Sequence, residues 1–177
     1  IVQEVGELNY NKVLEVENII KIYGKGENCT KALKGISFDV LEGEFLGIMG
    51  PSGSGKTTLL NSIATMIRVT SGKIRLKGED ISSFKGRELS GYRGKAIGYL
   101  FQEFELLDNL TARENIILPL SLHGMTGREA EGMLKKLAWH FGIEEELDKF
   151  PSQMSGGQKQ RVAAARALIG NPSIVLA

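Results

Sequence analysis

Short apolar stretches alternate with polar, glycine-bearing segments along the first part of this chain. Between Val13 and Val40, apolar and polar positions alternate on both sides of the segment Gly24–Thr30. A period of two is typical of strands, and a polar segment with glycine is typical of the loop that joins them. The pattern therefore predicts an antiparallel entry sheet. Later apolar runs predict three further strands, at Lys73–Lys77, Ala96–Phe101 and Ile174–Ala177.

The next pattern combines a strand, a loop and a helix in that order. The mostly apolar segment Glu44–Met49 predicts a short buried strand, and several glycines follow it directly. Beyond the glycines, apolar residues recur at helical spacing, namely Leu59, Leu60, Ile63, Ala64 and Ile67. The sequence therefore predicts a strand, a glycine loop and an amphipathic helix in immediate succession.

The second half of the chain has a mainly helical pattern. Three pairs of residues have the spacing of a capping box: Thr111 with Glu114, Thr126 with Glu129, and Ser155 with Gln158. One apolar helical face is predicted at Ala130, Met133, Leu134, Leu137, Ala138 and Phe141. These patterns predict a helical subdomain at about 105–150 and a further capped helix at Ser155–Ile169.

Composition excludes several classes of protein. The chain is 42% hydrophobic and 24% charged, which is typical of one globular unit. Lys and Arg total 22 against 21 for Asp and Glu, so we expect no nucleic-acid partner. No apolar run reaches the roughly 18 residues that cross a bilayer, so we expect no direct membrane insertion. The single cysteine, Cys29, and an Ile1 end without signal-peptide features favour a cytoplasmic location.

The glycine loop carries the clearest chemical motif. Its residues match GxxxxGK[ST] between a predicted strand and a predicted helix: Gly50, Pro51, Ser52, Gly53, Ser54, Gly55, Lys56 and Thr57, with Thr58 following. Glycines allow successive backbone amides to point at phosphate oxygens near a helix N-terminus. Lys56 would neutralise the β- and γ-phosphates of ATP, and the Thr57 hydroxyl would bind Mg²⁺. A surface turn without function would need neither side chain.

A second anion site is indicated at the start of the last predicted helix. Ser155, Gly156, Gly157 and Gln158 place backbone amides and a hydroxyl at a helix N-terminus. The same residues also suit a well-capped helix that binds nothing. The phosphate loop upstream favours the functional interpretation.

These motifs together resemble the ATP-binding subunits of ABC transporters. The family's signature segment is matched by Met154–Arg161, with Met154 where leucine is usual. The resemblance implies that Tyr23 stacks on adenine and that Gln102 contacts water and Mg²⁺ between the ATPase core and the helical subdomain. Catalytic roles would thus fall to Gln102 and Lys56, and metal contacts to Thr57 and Gln102.

The resemblance also implies a fold, a layout and partners. The fold would be an α/β P-loop NTPase with a RecA-like core, an antiparallel β subdomain and an inserted helical subdomain, incomplete at its C-terminus. Residues 1–104 and 151–177 would form the core, and residues 105–150 the helical subdomain. Two copies would associate head to tail, so that Ser155–Gln158 of one copy serves the ATP of the other. An integral membrane permease would be the partner, at the inner face of the cell membrane.

Within the family, several short segments resemble the group that serves macrolide export, lipoprotein release and antimicrobial-peptide export. They are Ala64–Ile67, Thr70–Gly72, Glu88–Arg93, Leu106–Asp108 and Asn115–Leu120. Asp108, where relatives often carry proline, favours the bacitracin-type branch. The transported compound is not specified, because substrate contacts lie in the permease.

Other family features are missing from the sequence. Ile174–Leu176 resembles the strand that delivers a Mg²⁺-associated aspartate and a water-polarising glutamate, but the sequence ends at Ala177 before either acid. His123 and His140 precede the signature helix and are expected to be packing or surface residues. We therefore expect this chain to bind nucleotide at most weakly and not to turn it over.

Three other classes of function remain open. A small phosphotransferase or GTPase would share the loop but has no use for Ser155–Gln158 after a helical insertion. A soluble ABC-type ATPase acting on DNA or ribosomes usually has long coiled-coil insertions or tandem cassettes, and this chain has neither. A truncated, non-hydrolytic nucleotide-binding module is compatible with the missing acids.

Overall fold

The computed structural model describes residues 11–24, 26 and 28–177, which divide into two compact units between Phe84 and Lys85. The strands are β1 (Lys12–Tyr23), β2 (Thr30–Leu41), β3 (Ser71–Leu76), β4 (Glu79–Asp80), β5 (Ile97–Tyr99) and β6 (Ile174–Leu176). The helices are α1 (Lys56–Ile63), α2 (Gly86–Ala96), α3 (Ala112–Leu122), α4 (Arg128–Phe141) and α5 (Gly156–Leu168). None of these described helices is long and apolar enough to cross a membrane.

The first unit contains a four-stranded antiparallel sheet in the order β2-β1-β3-β4. Leu14 in β1 lies opposite Val40 in β2 and Leu76 in β3, and all three side chains are buried. The predicted antiparallel entry sheet is therefore confirmed. The predicted loop Gly24–Thr30 includes positions 25 and 27, which lie outside the described residues, as does the Ile1 end.

Helix α1 packs against β2 and buries Leu59 and Ile63. The helix ends at Ile63, so the apolar spacing that continues to Ile67 overestimated its length. The chain turns back here because Thr65 adopts a left-handed conformation with φ 58°, and the carbonyl of Asn61 accepts hydrogen bonds from two later amides. Apolar spacing indicates which residues are buried, but it does not predict a turn of this kind.

The predicted buried strand at Glu44–Met49 is wrong. Neither described sheet contains this segment, and Phe45 and Met49 are 97% and 94% exposed. A strand requires a neighbouring strand to pair with its backbone, and an apolar pattern cannot supply that neighbour. The segment instead runs without regular secondary structure into the glycine loop.

The second unit contains a helical core and a short parallel pair of strands. Residues from α3, α4, α5 and the turns between them form one buried cluster: Ala112, Ile116, Leu120, Ala130, Leu134, Ala138, Ile143, Leu147, Met154, Val162, Ala165 and Ile169. The predicted apolar face of α4 contributes to it, with Met133, Leu137 and Phe141 packed at its edge. Strands β5 and β6 pair in parallel, with Ile97 opposite Ile174.

Two of the three predicted capping boxes are present. Both the Thr111–Glu114 box at α3 and the Ser155–Gln158 box at α5 have reciprocal hydrogen bonds. The predicted box of Thr126 with Glu129 is wrong, because α4 begins later, with Gly127 as its N-cap and no side-chain cap. Glu129 is then the second helical residue, one position too early to reach back to the cap.

Candidate functional site

The glycine loop ends where α1 begins. Gly55 is the N-cap of α1 with φ 93°, and no side chain caps the first turn. A Cβ atom on Gly55 would lie 2.6 Å from the carbonyl oxygen of Ala32 in β2, so only glycine fits. The first amides of α1 are therefore left without a side-chain acceptor. Free amides at a helix N-terminus are the groups that bind phosphate.

The ammonium group of Lys56 lies inside this loop. Its Nζ donates to the carbonyl oxygens of Gly50 at 2.9 Å and Pro51 at 2.8 Å, with the Ser54 hydroxyl at 3.4 Å. The loop backbone thus wraps around a cation and holds it at the helix start. An anionic ligand placed at this point would meet both the ammonium and the free amides.

A groove of about 830 Å³ adjoins the loop. It is lined by residues 52–58 of the loop and α1 and by residues of β2. Among these described lining residues, Lys31, Lys34 and Lys56 are basic and none is acidic. Its volume lies within the range of small-molecule pockets. The groove therefore favours an anionic ligand of moderate size, and the exposed Thr57 hydroxyl lies on its wall.

Tyr23 lies at one end of the same sheet. It is the last residue of β1 and pairs with Thr30, which lines the groove. The ring is 43% exposed, and the ammonium of Lys21 lies 4.9 Å from its centroid. An exposed aromatic ring can stack on a planar ligand.

The start of α5 has a different arrangement. The Ser155 hydroxyl accepts a hydrogen bond from the Gln158 amide at 3.3 Å, and the Gln158 side chain accepts one from the Ser155 amide at 2.8 Å. Ser155, Gly156 and Gly157 are exposed, whereas the preceding Met154 is buried in the helical core. Met154 therefore anchors the segment, and the two glycines lie at the surface.

Gln102 lies in an exposed turn after β5, and the backbone beyond it is unusual. Phe104 and Glu105 have φ angles of 62° and 47°, which are strained values for residues with side chains. The guanidinium of Arg166 in α5 donates to both carbonyl oxygens, at 2.7 and 2.5 Å. Burial lowers the pKa of Arg166, and the charge of Glu105 opposes this shift. Arg166 thus connects α5, whose N-cap is Ser155, to the turn that carries Gln102.

The two histidines have local partners. The Nδ1 atoms of His123 and His140 lie 2.8 Å from the carbonyl oxygens of Pro119 and Lys136, each one helical turn earlier. These contacts agree with the expected packing and surface roles.

Three basic residues with evident contacts give no signal in the sequence pattern. Lys31 and Lys34 become wall residues of the groove only because β2 lies beside the loop, and no local pattern predicts that neighbour. Arg166 was not singled out either. Its partners are carbonyl groups about sixty residues earlier, so the sequence contains no signal for the contact.

Comparison with known proteins identifies relatives of this chain. It is 47% identical over 165 residues to the bacitracin export ATP-binding protein BceA of Halalkalibacterium halodurans, covering 93% of this chain and 65% of that protein. It is 50% identical over 165 residues to the ABC transporter ATP-binding protein YxdL of Bacillus subtilis, covering 93% of this chain and 64% of that protein. The macrolide export ATP-binding/permease protein MacB of Syntrophobacter fumaroxidans is 44% identical over 170 residues, covering 93% of this chain and 23% of that protein.

Solved structures show the same fold. A post-hydrolysis dimer of the ATP-binding cassette MJ0796, bound to ADP and phosphate, matches with a TM-score of 0.83 and 39% identity over 92% of this chain and 72% of that one. This likeness confirms the predicted α/β P-loop NTPase fold. A family model described as "ABC transporter" matches residues 33–177. Because that match covers most of the chain and the relatives share close to half of their aligned residues, the chain belongs to the ABC transporter family.

Proposed function

We propose that this chain is the ATP-binding portion of an ATP-hydrolysing subunit that powers an ABC transporter. The observation that carries the proposal is the Lys56 ammonium, held by two loop carbonyls beside a groove whose described lining includes three lysines and no carboxylate. Such a site favours a polyphosphate over a neutral or cationic ligand. Because the relatives described above are named as ATP-binding proteins, the polyphosphate is proposed to be ATP.

The loop residues have distinct roles in this proposal. The residues Gly50, Pro51, Ser52, Gly53, Ser54, Gly55, Lys56, Thr57 and Thr58 bind the phosphates of ATP. Lys56 balances the charge of the terminal phosphates, and the ring of Tyr23 stacks on adenine. The Thr57 hydroxyl and the Gln102 side chain would hold Mg²⁺, which when bound offsets the negative charge that develops on the phosphates.

The Ser155–Gln158 segment is proposed to contact the nucleotide held by a second copy of the subunit. Supporting this, the segment is exposed and opens a helix of the second unit, and the solved MJ0796 cassettes are dimers. We also propose the layout in which 1–104 and 151–177 form the ATPase core and 105–150 the helical subdomain. The helices α3 and α4 of that subdomain support the assignment.

The proposed partner is an integral membrane permease, with the subunit bound at the inner face of the membrane. Relatives named for bacitracin export and macrolide export support an exporter of peptides, antibiotics or lipophilic compounds. For these 177 residues by themselves we infer nucleotide binding with little turnover. Steady hydrolysis that Lys56→Ala abolishes would contradict that last inference.

Titration calorimetry with Mg·ATP tests the central claim. We expect binding to the folded chain, and a loss of about 100-fold in affinity for Lys56→Ala, because removing one member of a charge pair that binding buries costs about 2–5 kcal/mol. Lys135→Ala is the matched control, since Lys135 is an exposed lysine of α4. No binding by folded protein, or equal affinity in the two variants, would show that the loop does not bind nucleotide.

The transporter assignment needs a separate experiment. A tagged subunit expressed with its neighbouring permease gene should co-purify with an integral membrane protein in detergent. If ATP binding is present and no membrane protein ever associates, a soluble ABC-type ATPase becomes the better assignment.

A further inference from the structure

The side chain of Gln158 is already engaged within its own chain. Its Oε1 accepts a hydrogen bond from the Ser155 amide at 2.8 Å, and its Nε2 donates to Oε1 of Glu146 at 2.6 Å. One end of the amide thus needs a donor and the other needs an acceptor. Only one orientation of the Gln158 amide satisfies both neighbours, so its direction is fixed.

Glu146 is a charged residue in an apolar setting. It is only 7% exposed and lies between Ile143 and Leu147, which both belong to the buried helical core. Its carboxylate meets the Gln158 amide at 2.6 Å and the Lys149 ammonium at 3.6 Å. Burying a carboxylate destabilises the folded state unless the group is hydrogen-bonded. The bond to Gln158 therefore stabilises Glu146 in its buried position and holds the Gln158 side chain in place.

This pairing explains why glutamine, rather than glutamate, closes the capping box of α5. Glutamate is equally able to accept from the Ser155 amide. It has no N–H to offer Glu146, however, and would place a second carboxylate against the first. Glu146 therefore requires a residue at position 158 that is an acceptor on one side and a donor on the other.

We propose that Glu146 is a positioning residue for the Ser155–Gln158 segment. It holds the Gln158 side chain in the capping box, so that Gln158 stabilises the segment and does not itself bind nucleotide. The groups left to meet a phosphate are the Ser155 hydroxyl and the amides of Gly156 and Gly157, which precede the first hydrogen bonds of the helix. The inference rests on the proposed function for its ligand, whereas the hydrogen bond itself is independent of it.

A charge-exchange cycle tests the Glu146–Gln158 hydrogen bond without nucleotide. At neutral pH we expect Gln158→Glu to lower the ratio of folded to unfolded protein by about tenfold or more, since two carboxylates then face each other. The double variant Glu146→Gln with Gln158→Glu should restore it, because the donor and acceptor are simply exchanged. Failure of the double variant to rescue the single one would overturn the proposal.

A spectroscopic measurement reports the same bond directly. The side-chain NH₂ resonances of Gln158 should be shifted and slow to exchange in the native chain. They should move towards free-amide values in Glu146→Ala but remain shifted in Glu146→Gln, which keeps an acceptor. Glu145→Ala is the matched control, because Glu145 is the exposed neighbour in the same turn. Unchanged resonances in Glu146→Ala would contradict the proposal.

Self-association in Mg·ATP, followed by sedimentation, separates a positioning role from direct binding. Glu146→Ala should weaken nucleotide-dependent association by about tenfold, Glu146→Gln much less, and neither should change ATP binding at the Lys56 loop. If Gln158 were itself a ligand, releasing it from Glu146 would leave association unchanged or strengthen it, and the proposal would fail. If the native chain binds no Mg·ATP at all, the proposed function fails while the charge-exchange cycle still decides the hydrogen bond.

Discussion

The Gly50–Thr57 loop and the Ser155–Gln158 segment each lead into a helix, but they satisfy its first amides in opposite ways. At α1 the N-cap is a left-handed glycine, and no side chain caps the turn. At α5 a serine and a glutamine form a complete capping box, and a buried glutamate fixes the glutamine. The first helix start is left open for a ligand, whereas the second is largely completed by its own chain.

The two regions are stabilised by different parts of the chain, one by backbone conformation and the other by side-chain contacts. The loop depends on backbone conformation, with Gly53 and Gly55 at φ 77° and 93°. The α5 region depends on side chains, from Ser155 and Gln158 at its start to Arg166 near its end. Substitutions that add a side chain should therefore damage the loop most, and substitutions that remove one should damage the α5 region most.

Substitution of Gly55 should be the most damaging change. Gly55→Ala forces a side chain into a left-handed conformation and against the carbonyl of Ala32, so we expect a loss of about 3 kcal/mol in unfolding free energy. Gly53→Ala is the control. It has a similar φ but open space around the added carbon, and should cost about 1 kcal/mol. Chemical denaturation measures both, and equal costs would show that the approach of β2 is unimportant.

Arg166→Lys should have the next largest effect. An ammonium cannot donate to two carbonyl groups in the planar fork that a guanidinium provides, so we expect a loss of about 2 kcal/mol. Hydrogen exchange should accelerate at residues 102–106. Arg161→Lys, an exposed arginine of the same helix, should change neither.

The strain in this turn gives a second check on Arg166. Glu105→Gly relieves the left-handed conformation, so Arg166→Lys should cost less in that background. Glu105→Ala removes the same side chain without relieving the strain and should not reduce the cost. An identical cost of Arg166→Lys in both backgrounds would show that it does not stabilise a strained turn.

Ser155→Ala should have a moderate effect. It removes the hydroxyl that accepts from the Gln158 amide, and N-cap losses of this kind cost about 1 kcal/mol. Ser152→Ala, an exposed serine just before the segment, is expected to be neutral. A cost confined to Ser155 would confirm that α5, unlike α1, is capped by its own side chain.

The smallest effect concerns the capping box of α3, which contains the carboxylate of Glu114. Hydrogen bonds from the Thr111 amide and hydroxyl lower the pKa of Glu114 from 4.5. Because the pKa is lowered in the folded state, these hydrogen bonds stabilise the fold above the pKa that Glu114 has in the unfolded chain. Their contribution is lost as the pH falls through the pKa of the folded state. Amide proton shifts of Thr111 and Glu114 should therefore change in acid, and Glu114→Gln should abolish the change. Glu129→Gln, at the uncapped start of α4, should leave it intact.

Local patterns predicted the parts of the fold that depend on neighbouring residues. The antiparallel pair β1–β2, the boxes at Thr111 and Ser155 and the apolar face of α4 are confirmed. The predictions were wrong where an element depends on another part of the structure. Glu44–Met49 has the composition of a strand, but none of the described strands pairs with it, and Thr126 has the spacing of a cap at a helix that begins two residues later.

The sequence alone is enough to assign the family, the phosphate-loop motif and the likeness of Met154–Arg161 to the signature segment, because these depend on residue type and spacing. The folded structure is needed to see that β2 places Lys31 and Lys34 beside the loop, that Arg166 binds the carbonyls of Phe104 and Glu105, and that Glu146 contacts the Gln158 side chain. Each of these contacts joins residues from different segments of the chain, so no local pattern brings them together. Short hydrogen bonds and close packing then depend on where the backbone folds, which no local pattern specifies.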